Sequence, residues 1–136
     1  MQVRPVQTRA ELREFVELPY RLYRRDANWV APLRSEQWAQ FDPRRNPMLQ
    51  HCEYGLFLLW HDGRAIGRIS AFVDRLALEA WGAPIGLFGS YECDGDGAGA
   101  SLLLDAARDW LLERGMARMR GPWSFASQEW GLVLEG

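Results

Sequence analysis

The residues best suited to chemistry form the run Asp94-Gly95-Asp96-Gly97-Ala98-Gly99, set between an apolar stretch and a stretch of helical periodicity. A turn of this kind aims several backbone N–H groups at one point, and the helix behind it adds about half a positive charge there. Glycines matter because a side chain would hold a phosphate away from the backbone. The pattern suits a phosphate held on backbone N–H groups of the loop and the helix start. The plain alternative is a tight strand-to-helix turn with no ligand. A dinucleotide fingerprint needs G-x-G-x-x-G, whereas Gly95, Gly97 and Gly99 alternate strictly. A calcium loop would use Asp94, Asp96, Gly99 and Asp105 at its first, third, sixth and twelfth positions. Ala98 then stands where the fifth ligand belongs, Asp105 replaces the bidentate glutamate, and a strand rather than a helix precedes the loop. Asp94 and Asp96 oppose an anion: at ~5 Å and an effective dielectric of ~20, one carboxylate repels one phosphate charge by roughly 3 kcal/mol. The helix terminus returns only about 0.3–2 kcal/mol.

Just before the loop stand Tyr91 and Glu92. Regular alternation puts Glu92 on the face of Phe88 and Ser90, where a carboxylate can accept a proton through water. Its alternatives are pairing with an arginine such as Arg68, or solvent. Tyr91 falls on the opposite face, as a candidate acid or a core residue, and joins Glu92 in one site only if the strand bulges. His51-Cys52-Glu53 gathers titratable side chains, but neighbours on an extended chain point apart. His51 and Glu53 can share a face, and zinc would then need two further ligands. The expectation is no metal and no thiol catalysis. Cys93 reads as a small buried hydrophobe.

Composition bounds what these groups can serve. The 136 residues are 48% hydrophobic, 25% charged and 12% aromatic, enough apolar surface for one core and too much for a disordered tail. Sixteen basic against 18 acidic side chains, net −2, leave no basic footprint for nucleic acid. Every basic residue is arginine, which excludes a lysine Schiff base and a lysine-bearing phosphate loop. Two cysteines allow one bridge at most, and with no apolar leader at the start a reduced cytoplasmic setting is expected. Apolar runs such as 56–60 fall far short of the ~20 residues that span a bilayer, so no membrane partner is expected.

The elements that must position the groups follow from spacing. Residues 3–6 read as a short extended piece. Thr8 with Glu11 has capping-box spacing ahead of a helix carrying Leu12, Phe15 and Val16, which Pro19 interrupts. A second short stretch runs to Asp26. Residues 28–47 read as a packed loop holding a short helix capped by Ser35. Two strands, 53–61 and 64–73, meet at Asp62-Gly63, a strong hairpin signal. In the second strand Ala65, Gly67, Ile69, Ala71 and Val73 share one face. A helical turn over 76–81 leads to a third strand, 85–93. The helix after the glycine loop buries Leu103, Ala106, Ala107, Trp110 and Leu111, and Gly115 ends it. A short strand, 117–120, precedes an aromatic tail with Trp123, Phe125 and Trp130 that reads as core anchor, association patch or pocket wall.

The glycine loop followed by Leu102-Leu103 resembles the pyrophosphate loop of the GNAT acyltransferases, Q/R-x-x-G-x-G/A before a leucine-rich helix. The order of elements resembles the first two-thirds of a GNAT domain. Further patches resemble a bacterial family of GNAT-like proteins: Leu18-Pro19-Tyr20-Arg21-Leu22-Tyr23 with Asp26, Trp29-Val30 and Pro32-Leu33; Asn46-Pro47 with His51-Cys52-Glu53; and Gly67-Arg68-Ile69 with Ala71. So do Gly86-Leu87-Phe88-Gly89 with Glu92, Arg114-Gly115, Gly121-Pro122 with Phe125-Ala126-Ser127, and Gly131-Leu132. Members of that family are described as N-acetyltransferases and are longer.

The resemblance implies an α/β (α+β) fold: a mixed, mostly antiparallel sheet flanked by helices, as one domain over 1–136 that lacks the C-terminal helix and strands. It implies transfer of an acetyl or other acyl group from acyl-CoA to the amine of a small molecule. Glu92 and Tyr91 are then the candidate catalytic groups, with the pyrophosphate on residues 96–101. The departure of Asp94 from the motif's leading Q/R keeps a second reading open, a non-catalytic GNAT-like binding or dimerisation module that has lost CoA. An unfinished sheet would expose an edge that a second copy can cover, so a homodimer is also expected.

Overall fold

The computed structural model describes residues 1–95 and 97–125. In chain order they form β1 (Gln2–Pro5), α1 (Arg9–Leu22), α2 (Arg34–Gln40), a 3-10 turn (Pro47–Gln50), β2 (Cys52–His61), β3 (Arg64–Asp74), α3 (Arg75–Trp81), β4 (Ile85–Cys93), α4 (Gly97–Glu113) and β5 (Arg118–Arg120). The strands lie in sequence order in one sheet. The first four pair antiparallel, and α4 is the crossover that makes β4 and β5 parallel. This is the mixed, mostly antiparallel sheet between helices that the sequence predicts.

Asp62 and Gly63 both take positive φ, 50° and 71°, the backbone a two-residue hairpin requires. Each face of the hairpin then buries its own cluster. On the α1 side Leu56, Leu58, Phe72 and Leu87 pack with Phe15, Val16 and Leu18. On the α4 side Phe57, Leu59, Ile69 and Val73 pack with Leu103, Ala107 and Leu111. Ala106 and Trp110 are half-buried beside them, while Asp105, Arg108, Asp109 and Glu113 face water. Among the described residues no helix is long and apolar enough to cross a membrane.

Two irregularities change the faces read from simple alternation. Leu59 opposes Gly67 but Trp60 opposes Ala65, so Ile66 is an extra residue. Ala65 therefore joins the α1-side core and Ile66 the α4 side. In the other pair Ser70 opposes Gly89 and Arg68 opposes Glu92, so Ile69 alone spans Ser90 and Tyr91. Ser90 absorbs this bulge at φ 51°.

The helices correct two expectations. Thr8 caps α1 as predicted, its Oγ1 accepting from the Glu11 N–H at 3.1 Å. Thr8→Ala is expected to cost about 1 kcal/mol, read as a lower urea midpoint at unchanged slope. Pro19, however, does not end the helix, which runs on to Leu22. A proline cannot bond the carbonyl four residues back, and here that freed carbonyl, Phe15 O, accepts from Arg68 Nη1 at 2.7 Å. The tertiary bond replaces the missing helical one. Ser35 is not a cap: α2 begins at Arg34 after Leu33, with no side-chain cap bond. Of the aromatic tail, Phe125 is a core anchor against Phe41, Tyr54 and Phe72. Trp123 meets Trp81 edge-on. Trp130 and the rest of 126–136 lie outside the described residues.

Candidate functional site

The bulge in β4 decides where Glu92 goes. By consuming one extra residue it turns Glu92 to the face of Leu87 and Gly89 rather than that of Phe88 and Ser90. That face belongs to α1. There the Tyr23 hydroxyl donates to Glu92 Oε2, and Arg68, the cross-strand partner of Glu92, sits over the Phe15 ring with its Cζ 4.9 Å from the centroid. Tyr23 is held in turn by Trp29, ring to ring at 5.3 Å. Glu92 is half-buried. Burial raises its pKa from the ordinary value, and the Tyr23 hydrogen bond and then the Arg68 charge oppose that rise. Burial, then the bond to Glu92, holds the Tyr23 hydroxyl protonated. A carboxylate whose pKa is raised in this way holds a proton more readily than an ordinary one, which suits it to accept one.

Tyr91 stays on the opposite face, packed with the α4-side core. Burial is the main cause that raises its pKa, with Cys93 next. The bulge thus does not bring the two predicted catalytic side chains together; it gives Glu92 a different tyrosine. Tyr23 stands in a patch that carries the resemblance, but nothing in its spacing marks it as the partner of Glu92. The signal was indirect: Pro19 one turn earlier leaves a carbonyl for Arg68, and Arg68 stands opposite Glu92. Tyr23→Phe removes a bond that favours the ionised carboxylate. The acid limb of any Glu92-dependent rate should therefore move to higher pH, seen in a pH–rate profile.

At the end of β4 the chain turns sharply. Asp94 N–H donates to Ile66 O at 2.8 Å, Gly95 takes φ 99°, and α4 begins at Gly97. Gly97, Ala98, Gly99, Ala100 and Ser101 are therefore the first turn of the helix rather than a loop ahead of it. The two glycines differ in kind. Among the described residues a Cβ at Gly97 would meet nothing within 4 Å, which leaves its backbone open to a ligand on that side. A Cβ at Gly99 would lie 2.8 Å from Leu59 Cδ2 and 3.1 Å from Cys93 Sγ, so Gly99 serves helix–sheet packing. The Ser101 hydroxyl donates back to Gly97 O at 3.0 Å. Asp94 is exposed. In water's dielectric its repulsion of a phosphate at ~5 Å falls to roughly 1 kcal/mol, within what the helix terminus returns. Asp96 lies outside the described residues.

The expectation of no metal is corrected at the far end of the hairpin. His51, Cys52 and Asp74 bring one nitrogen, one sulfur and one carboxylate oxygen within 4.8 Å of one another. His51 Nδ1 is 2.8 Å from Asp74 Oδ1 and 3.8 Å from Cys52 Sγ. Glu53, the expected partner of His51, turns to the other face and pairs with Arg114 at 2.8 Å. Counting residues outward from the Asp62-Gly63 turn would set Cys52 opposite Val73. The extra residue at Ile66 shifts the register by one and delivers Asp74 instead. Neither cysteine is in a disulfide, and burial first, then the Asp74 charge, pushes Cys52 up to about 12.

The sequential sheet, its parallel β4–β5 pair and the bulge in β4 are the GNAT-like fold. Among solved structures, the chain is similar to glucosamine-6-phosphate N-acetyltransferase from Arabidopsis thaliana, with TM-score 0.56 at 11% identity over 99% of this chain and 96% of that one. It is also similar to a Clostridium acetobutylicum protein described as a "predicted acetyltransferase with acetyl-CoA", with TM-score 0.59 at 13% identity over 93% and 83%. No family model matches the chain. In sequence it is 40% identical over 138 aligned residues to the bacterial ceramide synthase of Caulobacter vibrioides, covering 100% of this chain and 36% of that protein. The chain spans about one third of the length of the curated relatives it matches.

Proposed function

We propose that this chain binds acyl-CoA and supports transfer of its acyl group to an amine, with Glu92 as the proton acceptor. The observation that carries the reading is the half-buried Glu92 carboxylate between Tyr23 and Arg68, at the bulge of a strand whose far end opens into a glycine-bearing helix turn. The pyrophosphate would rest on the first turn of α4, from Gly97 to Ser101, with Gly97 leaving the backbone clear. The thioester would lie along β4 past Leu87, where the described pairing with β5 stops. The amine nitrogen attacks the thioester carbonyl, a C–N bond forms, and the C–S bond breaks. Glu92 takes the amine's proton, directly or through one water, and CoA leaves as a thiolate that is protonated from solvent. Tyr23 positions the carboxylate, and Tyr91 takes no part.

One relative is named as a bacterial ceramide synthase; a ceramide is a fatty amide of an amino alcohol, so the acceptor class we carry to this chain is an amine on an amphiphilic amino alcohol. The test incubates the chain with acetyl-CoA or a longer acyl-CoA and a panel of amino alcohols and short polar amines. Free thiol is followed with a thiol reagent and the amide by mass spectrometry. Amine-dependent thiol release matched by amide is the expected result. Thiol release absent with every amine, despite folded protein, contradicts the reading and leaves the non-catalytic module.

A further inference from the structure

The strongest group outside the Glu92 site is the cluster at the opposite end of the hairpin, and the geometry points to a divalent-cation site: we infer that His51, Cys52 and Asp74 together hold one Zn2+ ion, with a water completing the coordination. Three observations carry it. The donor atoms converge, with Nδ1 2.8 Å from Oδ1 and 3.8 Å from Sγ and all three within 4.8 Å. Tetrahedral zinc with bonds of about 2.0–2.3 Å sets its donors roughly 3.3–3.6 Å apart, so small side-chain shifts suffice. The backbone fixes each donor independently. Cys52 and Asp74 are cross-strand partners, Arg75 N–H holds His51 O at 3.1 Å, and Leu76 N–H holds Asp74 Oδ1 at 3.0 Å. The side chains of His51 and Asp74 are only 29% and 12% exposed, so the site is sheltered rather than a loose surface cluster.

The donor set also fits in charge and softness. A thiolate and a carboxylate offset the 2+ charge, and thiolate with imidazole favours zinc over magnesium or calcium. Arg75, the nearby cation, donates its guanidinium to Gln50 O at 3.1 Å. On binding, the Cys52 thiol proton leaves to water, and the His51 Nδ1–Asp74 contact gives way to two metal bonds with the imidazole proton on Nε2. A nucleophilic Cys-His-Asp relay does not fit the same atoms. Sulfur and carboxylate both approach Nδ1, whereas a relay needs opposite ring nitrogens.

The test strips the purified chain with a chelator and titrates it with Zn2+, using Co2+ as the spectroscopic probe. One equivalent should bind, raise the thermal midpoint, and in the Co2+ form give a thiolate-to-metal charge-transfer band. Cys52→Ser should abolish the band, and Asp74→Asn, which keeps an oxygen to cap α3, should weaken Zn2+ binding by about tenfold or more. Cys93→Ser should change neither. Absence of saturable Zn2+ binding at concentrations on the order of micromolar overturns the inference, as does a band that survives Cys52→Ser or follows Cys93. None of these readouts depends on acyl transfer.

Discussion

Glu92→Gln is expected to lower the rate of acyl transfer by about 10²–10⁴-fold while leaving the protein at least as stable at neutral pH. The two halves of that result have one cause. Burial raises the folded-state pKa of Glu92 above its unfolded value. Between those two values the native state binds more protons than the unfolded chain, so unfolding free energy falls as pH rises through the window. The stabilisation is full below the unfolded pKa and is lost above the folded one. Above that window the ionised carboxylate is a burden on the fold, which glutamine removes while still accepting from Tyr23. Urea midpoints of both proteins across pH check the sign: the advantage of Glu92→Gln should shrink as pH falls. A variant that is inactive because it unfolds at neutral pH would contradict the account.

Gly99→Val should destabilise the protein by about 1–3 kcal/mol or more, and Gly97→Val should not. The added Cβ at Gly99 would press on Leu59, whose side chain is 0% exposed and has no solvent to swing into, and on Cys93 Sγ. α4 would have to move off β2 and β4, and with it Leu103 and Ala107 from the α4-side core. Two residues earlier the same change points into open space. Chemical denaturation of the two variants separates them: a lower midpoint for Gly99→Val only. If both fall equally, the glycines are structural alike and Gly97 loses its link to a ligand.

Much of this was legible in the sequence, and the failures share a physical origin. The Asp62-Gly63 hairpin, the Thr8 cap and the buried stripe of α4 follow from local rules that each residue obeys almost independently of the rest of the chain. Which face Glu92 occupies, and whether His51 meets Asp74, depends on two extra residues, Ile66 and Ser90–Tyr91, in otherwise regular strands. A bulge leaves the apolar pattern nearly intact while reversing every side chain beyond it, so alternation gives the wrong face. Pro19 misleads for a related reason. Its helix-breaking tendency is local, but the carbonyl it frees is satisfied by Arg68 from a strand 49 positions away, which no local rule anticipates. The same bond fixes Arg68 beside Glu92. Those departures from local rules all lie beside Glu92 and Arg68, where a chain gives up regularity to place a side chain.

The open first turn of α4 is expected to accept the diphosphate of a CoA thioester. Calorimetric titration of the full chain with acetyl-CoA and with CoA, beside Gly97→Val, tests it most directly. The account predicts saturable heat of one equivalent with both ligands and none with a Gly97→Val protein whose unfolding midpoint is unchanged. Equal heats for the two proteins, or none for the parent at ligand concentrations on the order of millimolar (a Kd of 1 mM is only about 4 kcal/mol), would contradict it.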